Sequence, residues 1–137
     1  MIVAISIVFV SMLTIPGNLL AGDFIGRHCF MGGLDLWEWN VEKVGNSYTV
    51  VGKGIYPSAM VGGGEIVGGT LYLTVTETED NGRRAIHAIK LKTGTWTGTN
   101  DTSYHDPDGT NHVTFSDMEV HKVSCTAADA VEGQTND

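Results

Sequence analysis

The stretch Tyr104–His112, YHDPDGTNH, contains two histidines, two aspartates and an asparagine, all of which are side-chain types that bind metal ions. A metal site here would use His105 together with Asp106 or Asp108. The calcium-loop motif does not fit, because it needs alternating acidic ligands over a longer loop that a glutamate closes. These three residues are therefore weak metal candidates, and the sequence predicts no bound metal and no cofactor.

The same stretch is typical of a tight turn. In the segment Asp-Pro-Asp-Gly, Pro107 fixes φ at the second position and Gly109 takes the left-handed conformation. A hairpin with the loop Pro107–Gly109 would place His105 and His112 on opposite faces of the strand pair, where they could not share one ion. A turn is the favoured interpretation of this stretch.

His87 is the histidine whose position follows from strand pairing. Residues 70–93 alternate apolar and polar side chains on both sides of a turn segment, which predicts a hairpin. A two-residue turn would put leucines opposite lysines. A three-residue loop, Asp80–Gly82, pairs apolar residues with each other and places His87 opposite Val75. The sequence therefore predicts that His87 points inward.

An inward histidine has two interpretations. It is either a core residue satisfied by a hydrogen bond, or a polar group that lines a cavity and acts as an acid or base near neutral pH. The sequence spacing links no carboxylate to His87. We therefore treat His87 as a weak catalytic candidate.

The aromatic residues are the candidate ligand contacts. Trp37, Trp39, Trp96 and Tyr48, together with His87, would line a cavity for an apolar or aromatic molecule. The alternative is that these side chains fill a small core. The sequence contains no nucleophile elbow, phosphate loop or Cys-x-x-Cys motif, so no particular reaction is predicted.

The elements that must position these residues are strands. Between residues 34 and 125 the apolar pattern has a period of two, and β-branched and aromatic residues are frequent. Trp37, Trp39 and Val41 share one face of a strand, and the polar residues between them share the other. One face of this strand is therefore predicted to be buried.

Later segments are less regular. The glycines at 62–64 and 68–69 predict either a flexible loop or bulges where a sheet bends. Residues 94–99 are expected to continue the preceding strand. The final strand, 112–125, is expected to have an irregularity at Ser116-Asp117.

The two cysteines, Cys29 and Cys125, lie at opposite ends of the patterned region. In an exported protein, an even pair placed in this way predicts a disulfide. Two separate buried thiols are the alternative.

The first 22 residues are predicted to be a cleavable signal segment. Residues 2–15 form an uncharged apolar run that Pro16-Gly17-Asn18 ends, and Ala21-Gly22 offers a cleavage site. A retained membrane anchor is the alternative, but the run is shorter than the roughly 20 residues that a spanning helix needs. The sequence therefore predicts a secreted or periplasmic protein.

The mature chain is predicted to be one barrel domain, residues 23–125, followed by a disordered acidic tail, residues 126–137. The formal net charge of the chain is −8. Nucleic acids and anionic membrane surfaces attract clusters of lysine and arginine. Neither nucleic acid nor membrane insertion of the mature chain is therefore expected, and no oligomeric state is predicted.

Six or more antiparallel strands with short turns, and no helical segment, favour an all-β fold. The predicted architecture is a small antiparallel, meander-like β-barrel, and a β-sandwich is the alternative. This outline is similar to that of lipocalin-like barrels. The Gly-x-Trp triplet of that family lies on its first strand, whereas Gly94-Thr95-Trp96 lies late in this chain. The resemblance therefore implies a fold only and no site residues.

The leading functional hypothesis is binding of a small apolar or aromatic molecule inside the barrel. The alternatives are a barrel enzyme that performs isomerase or lyase-type proton transfer, with His87 as base, and a structural or protein-interaction module. A cavity lined only by apolar groups would favour binding, and a cavity with a buried polar cluster would favour the enzyme. A filled interior would favour the module.

Overall fold

The structure is a computed structural model that describes residues 24–33, 35–54 and 57–126. The predicted signal segment, residues 1–22, lies outside the described residues, as does all of the predicted tail beyond Thr126. No helix among the described residues is long and apolar enough to cross a membrane.

The described residues form an all-β, antiparallel barrel, as predicted. Each strand pairs with the next along the chain, and the last strand closes the sheet on the first, so the sandwich alternative is excluded. The eight strands are β1 (Gly26–Gly32), β2 (Asp35–Val44), β3 (Ser47–Gly54), β4 (Ser58–Val67), β5 (Thr70–Glu79), β6 (Arg84–Lys92), β7 (Thr97–His105) and β8 (His112–Val123).

Strand β2 has the predicted alternation. Trp37, Trp39 and Val41 are buried inside the barrel, whereas Asn40 and Glu42 are exposed. The strand ends at a turn where Gly45 has a φ of 63°, a conformation that glycine adopts without steric cost.

The β5–β6 hairpin has the predicted three-residue loop. Val75 pairs with His87, and Gly82 takes a φ of 86° while its N–H donates to the Glu79 carbonyl. His87 is 0% exposed, so the inward position predicted for it is confirmed.

The glycines of β4 have neither of the two roles predicted for them, a flexible loop or a bulge. Gly62, Gly63 and Gly64 lie in a strand whose pairing to β5 is unbroken, so they form neither a flexible loop nor a bulge. A Cβ atom at Gly62 or Gly64 would collide with the carbonyl oxygen of Thr74 or Tyr72. These glycines therefore allow β4 and β5 to approach each other closely.

The prediction that residues 94–99 continue the preceding strand is wrong. Residues 93–96 form a turn, in which the N–H of Trp96 donates to the Lys92 carbonyl, and β7 begins at Thr97. Gly94 and Trp96 both have positive φ in this turn. The turn directs the Trp96 ring onto Phe24, with ring centroids 4.8 Å apart.

The β7–β8 hairpin corrects a second prediction. The Asp-Pro-Asp-Gly turn forms, since the N–H of Gly109 donates to the Asp106 carbonyl and Gly109 has a φ of 72°. The pairing resumes later than predicted, however, with His105 opposite His112. Both faces of this hairpin tip are polar, so no apolar matching favours the shorter loop. The two histidines therefore share a face, and their rings stack at 4.5 Å.

The irregularity predicted at Ser116-Asp117 is confirmed. The register between β7 and β8 shifts between Asn100 and Thr102, and Asp117 has a φ of 55°. The backbone N–H of Asp117 donates to the Asp101 carboxylate at 2.8 Å, which satisfies a donor that the shift removes from the ladder.

The predicted disulfide joins Cys29 and Cys125. Cys29 faces outward, because it alternates with the inward residues His28 and Phe30, yet it is 0% exposed. Leu36 and the partly buried Val123 cover it in a small apolar cluster on the outer wall of the barrel. The bond ties the end of β8 to β1 at the seam where the barrel closes.

Replacing both cysteines by serine tests how much this bond stabilises the barrel. The closed loop spans a sequence separation of 96. In the chain-entropy model, a loop of that length stabilises by about 4 to 5 kcal/mol. We expect the free energy of unfolding in urea to fall by that amount, and the reduced wild-type protein to match the double variant. A loss below about 1 kcal/mol would show that the seam is held by strand pairing alone.

Candidate functional site

The two ends of the barrel interior differ in character. At the end that carries the β2–β3, β4–β5 and β6–β7 turns, aromatic rings fill the interior. Phe24 lies at their centre, with its ring centroid 4.8 Å from that of Trp96 and 6.0 Å from those of Phe30 and Tyr48. We call this the aromatic end.

The opposite end, which carries the β1–β2, β3–β4, β5–β6 and β7–β8 connections, is hollow. Its cavity has a volume of about 400 Å³, which is within the usual range of small-molecule sites. We call it the end cavity. The side chains that give it its chemistry are Asp35, Trp37, Glu77, Tyr104, Phe115 and Met118.

A buried hydrogen-bond chain lies at the base of the end cavity. His87 Nε2 lies 3.0 Å from Glu77 Oε2, and His87 Nδ1 lies 2.9 Å from Thr102 Oγ1. The Asn100 amide donates to the Thr102 hydroxyl at 2.5 Å. A neutral imidazole satisfies this chain when the Thr102 hydroxyl donates to Nδ1 and the Nε2–H donates to Glu77. The chain therefore directs a proton donor at the Glu77 carboxylate.

Strand register explains how these residues meet. Thr102 on β7 is directly opposite His87 on β6, and Glu77 on β5 is a diagonal neighbour of His87, two positions beyond Val75. Side chains on one face at these offsets are within contact distance. The hydrogen-bond chain thus spans three consecutive strands.

The second oxygen of Glu77 is held from β4. Ser58 Oγ donates to Glu77 Oε1 at 2.6 Å and accepts a hydrogen bond from the backbone N–H of Gly54 at 3.0 Å. A Cβ atom at Gly54 would collide with both the Glu77 carboxylate and Ser58. The glycine at this position therefore provides the space in which the carboxylate lies.

The charge of Glu77 is favoured despite its burial. Burial acts to raise the pKa of the Glu77 carboxyl, but the hydrogen bonds from His87 and Ser58 outweigh it, and the pKa lies below its ordinary value. Glu77 is only 7% exposed. The base of the cavity therefore carries a fixed negative charge at neutral pH.

Asp35 has the opposite shift. Burial, and then the negative charge of Glu77, raise the pKa of the Asp35 carboxyl. Its polar contact is the Tyr104 hydroxyl, which donates to Oδ2 at 3.5 Å, the outer limit of a hydrogen bond. Asp35 therefore favours folding at low pH, and this contribution is lost as the pH rises through its raised pKa.

Tyr104 and Arg83 form the rim on the β6–β7 side. Burial, and then the charges of Asp35 and Glu77, raise the pKa of Tyr104 to about 12, so its hydroxyl is a donor at neutral pH. The Arg83 guanidinium lies 4.4 Å from the centre of the Tyr104 ring, and its Nε lies 3.6 Å from Asp106 Oδ1. The ring face of Tyr104 thus already holds one cation at the mouth of the cavity.

The walls of the end cavity are apolar. Trp37 stacks on Trp39 with ring centroids 5.5 Å apart, which separates the cavity from the packed interior below it. Across the cavity, Phe115 packs edge-on against Tyr104 at 6.0 Å. Met118 completes this wall.

The structure divides the residues predicted to bind a ligand. Trp37 lines the end cavity, and His87 lies directly beneath it, 5.2 Å from Trp37 between ring centroids. Trp39 is buried behind Trp37, whereas Tyr48 and Trp96 belong to the aromatic end. The prediction therefore mixed residues from both ends of the barrel.

The predicted metal candidates do not converge. Asp108 accepts hydrogen bonds from the backbone and hydroxyl of Thr110, Asp106 accepts one from the Asn111 amide, and His105 stacks on His112. Within the described part of the chain, no three His, Cys, Asp or Glu side chains are arranged to hold a metal ion.

Sequence reasoning missed Asp35 and Glu77. The signal for both was the period of two, since Glu77 follows Val75 on the inward face of β5 and Asp35 precedes Trp37 on that of β2. Sequence adjacency does not link Glu77 to His87, because the two residues are 10 positions apart. The diagonal offset in the predicted hairpin would have identified it.

Comparisons of this chain with protein-family models, with curated proteins and with solved structures found no significant match.

Replacing Glu77 by glutamine tests the buried chain. The variant loses hydrogen bonds to a charged acceptor, so we expect its free energy of unfolding to fall by about 1.5 to 3 kcal/mol at neutral pH. Because the pKa of Glu77 is lowered on folding, its contribution is complete above the ordinary glutamate pKa and is lost as the pH falls through the lowered value. The difference in the free energy of unfolding between Glu77→Gln and the wild type should therefore become smaller at acidic pH. The exposed Glu65→Gln is the matched control, and equal losses in the two variants would contradict the account.

Proposed function

We propose that this protein binds a small molecule with an apolar or aromatic body in the end cavity. The observation that carries the proposal is the contrast between the two barrel ends, one packed with aromatic rings and the other hollow with a volume of about 400 Å³. A protein that needed its barrel only as a scaffold would gain stability by filling that end too. The retained cavity therefore supports binding over a purely structural role.

The apolar walls would hold the body of the ligand. Trp37, Phe115 and Met118 offer a surface for an aromatic or aliphatic group, while the polar groups lie at the base and on one side. Few, fixed polar groups in a mainly apolar pocket are the usual means by which small-molecule sites orient their ligands.

His87 takes a supporting role in this proposal. The ring is 0% exposed, and both of its nitrogens are engaged by Glu77 and Thr102. It would therefore act by fixing the Glu77 carboxylate rather than by touching the ligand. This makes His87 a positioning residue.

Export to a secreted or periplasmic location is part of the proposal. It is supported by the Cys29–Cys125 disulfide, since such bonds persist in oxidising compartments. The net charge of −8 supports a small-molecule partner rather than a nucleic acid.

A proton-transfer enzyme is the second candidate function. It is favoured by the polar cluster in the cavity, the feature expected of the enzyme, and by the raised pKa of Asp35, a shift of the kind that acid–base residues show. We rank binding first because the predicted base, His87, is 0% exposed and enclosed between Glu77 and Thr102. Asp35, which lines the cavity, would then be the reacting group in place of the enclosed His87. Solvent deuterium entering carbon positions of a bound ligand would support this function, and unlabelled ligand after prolonged incubation would contradict it.

Truncating the cavity wall tests ligand binding. Phe115 and Ile86 are both 46% exposed, but Phe115 lines the end cavity and Ile86 lies on the outer face of β6. With a naphthalene-type fluorescent probe, we expect Phe115→Ala to weaken binding roughly tenfold, or about 1.4 kcal/mol, because a phenyl contact is lost. Ile86→Ala should leave the affinity unchanged. Equal effects of the two variants, or no binding by the wild type, would contradict the proposal.

A further inference from the structure

We propose that the natural ligand of the end cavity carries a protonated amine, which pairs with Asp35 and Glu77 while its apolar body contacts the aromatic walls. This inference rests on the proposed binding function and names the chemical class of the ligand.

The first support is the arrangement of acceptors. Glu77 Oε2 is engaged by His87 and Oε1 by Ser58, yet the residue still lines the cavity. A carboxylate oxygen has more than one acceptor position, so each oxygen has capacity left for a ligand donor. Asp35 lines the same cavity, and its contact from Tyr104 is a long one of 3.5 Å.

The second support is the charge of the lining. Three carboxylates, those of Asp35, Glu77 and Glu79, line the cavity with one guanidinium, that of Arg83. The Arg83 Nε atom also lies 3.6 Å from Asp106 Oδ1 outside the cavity, so part of the guanidinium charge is neutralised by Asp106. Burial, and then the negative charges of neighbouring carboxylates, raise the pKa of the Asp35 carboxyl and of the Tyr104 hydroxyl. The cavity therefore disfavours an added anion and favours an added cation.

The third support comes from the walls and is independent of the acids. Trp37, Tyr104 and Phe115 line the same cavity as Asp35. Aromatic faces attract cations, and the Arg83 guanidinium already lies 4.4 Å from the Tyr104 ring centre. A primary ammonium group has three donors, which matches acceptors on Asp35 and Glu77 beside an aromatic face.

Arg83 defines the rival interpretation. If the guanidinium at the rim dominated recognition, the cavity would select a carboxylate or phosphate instead. The acids at the base and the shared position of Arg83 favour the cationic ligand. An anionic probe distinguishes the two in one experiment.

Calorimetric titration of the folded protein with three indole compounds of similar size tests the inference. These probes are tryptamine, which carries an ammonium group, tryptophol, which carries a hydroxyl, and indole-3-acetate, which carries a carboxylate. We expect tryptamine to bind at least tenfold more tightly than tryptophol, and indole-3-acetate to bind more weakly than tryptophol. The preference for tryptamine should decrease as salt is added.

Two variants test whether the preference for tryptamine over tryptophol depends on the carboxylates of the end cavity. In Asp35→Asn the ratio of tryptamine to tryptophol affinity should fall at least threefold, because one of the two pairing charges is removed. In Asp80→Asn the ratio should stay at its wild-type value, because Asp80 is an exposed loop residue that does not line the cavity. Measurable binding of tryptophol by each variant also reports that its cavity is folded.

The outcomes separate the two proposals. Equal affinities for tryptamine and tryptophol would overturn the amine inference and leave the binding function supported. Tightest binding of indole-3-acetate would overturn it in favour of selection by Arg83. If none of the three compounds binds, both the inference and the proposed function are contradicted.

Discussion

The hydrogen bond between His87 Nε2 and Glu77 Oε2, at 3.0 Å, is the contact on which the open half of this barrel depends. A carboxylate that is only 7% exposed is costly to bury unless its acceptors are satisfied. Here β6 supplies the imidazole, and Ser58 reaches the other oxygen from β4. Thr102 on β7 in turn orients the imidazole. Four neighbouring strands therefore fix one charge at the base of the cavity, and the loss of any member removes a hydrogen-bond partner from a buried neighbour.

This polar base exists because the barrel divides its interior. The aromatic end buries Phe24, Phe30 and Tyr48, and large aromatic side chains contribute the most burial per residue. Trp39 and Trp37 stack above them and form the boundary with the cavity. The apolar packing of the aromatic end thus compensates for the smaller contribution of the hollow end to stability. A half-buried Asp35 with a raised pKa disfavours the folded state at neutral pH. The proposed binding function would account for it, since functional sites often carry a cost in stability.

Much of the fold was predictable because its strands have one apolar face. In the β5–β6 hairpin, a shift by one residue would have placed leucines opposite lysines, so the apolar pattern fixes both the register and the inward position of His87. The alternation in β2 identified Trp37 in the same way. The disulfide followed from the placement of Cys29 and Cys125 at the two ends of the patterned region.

The remainder could not be predicted because the tip of the β7–β8 hairpin is polar on both faces and the inward positions of β7 are polar. Strand β7 turns Asn100 and Thr102 inward, so its sequence lacks the apolar alternation that marks a strand with one buried face. The same absence of apolar residues is why the loop predicted at Pro107–Gly109 gave the wrong register for His105 and His112. Glu77 was missed because a charged residue at an inward position is unusual unless it is paired, and its partners Ser58 and His87 come from two other strands. The features hardest to predict are therefore the ones that form the candidate site.

The most direct test of this account is a carbon-13 NMR titration of the Asp35 and Glu77 side-chain carboxyls in the ligand-free protein. The account predicts that burial and the charge of Glu77 make Asp35 ionise above the ordinary aspartate range. It predicts that Glu77, despite its burial, ionises below the ordinary glutamate range because His87 and Ser58 donate to it. A Glu77 that ionises at or above the ordinary glutamate pKa, or an Asp35 that ionises at or below the ordinary aspartate pKa, would contradict the claim that this hydrogen-bond chain fixes a charge at the base of a ligand cavity.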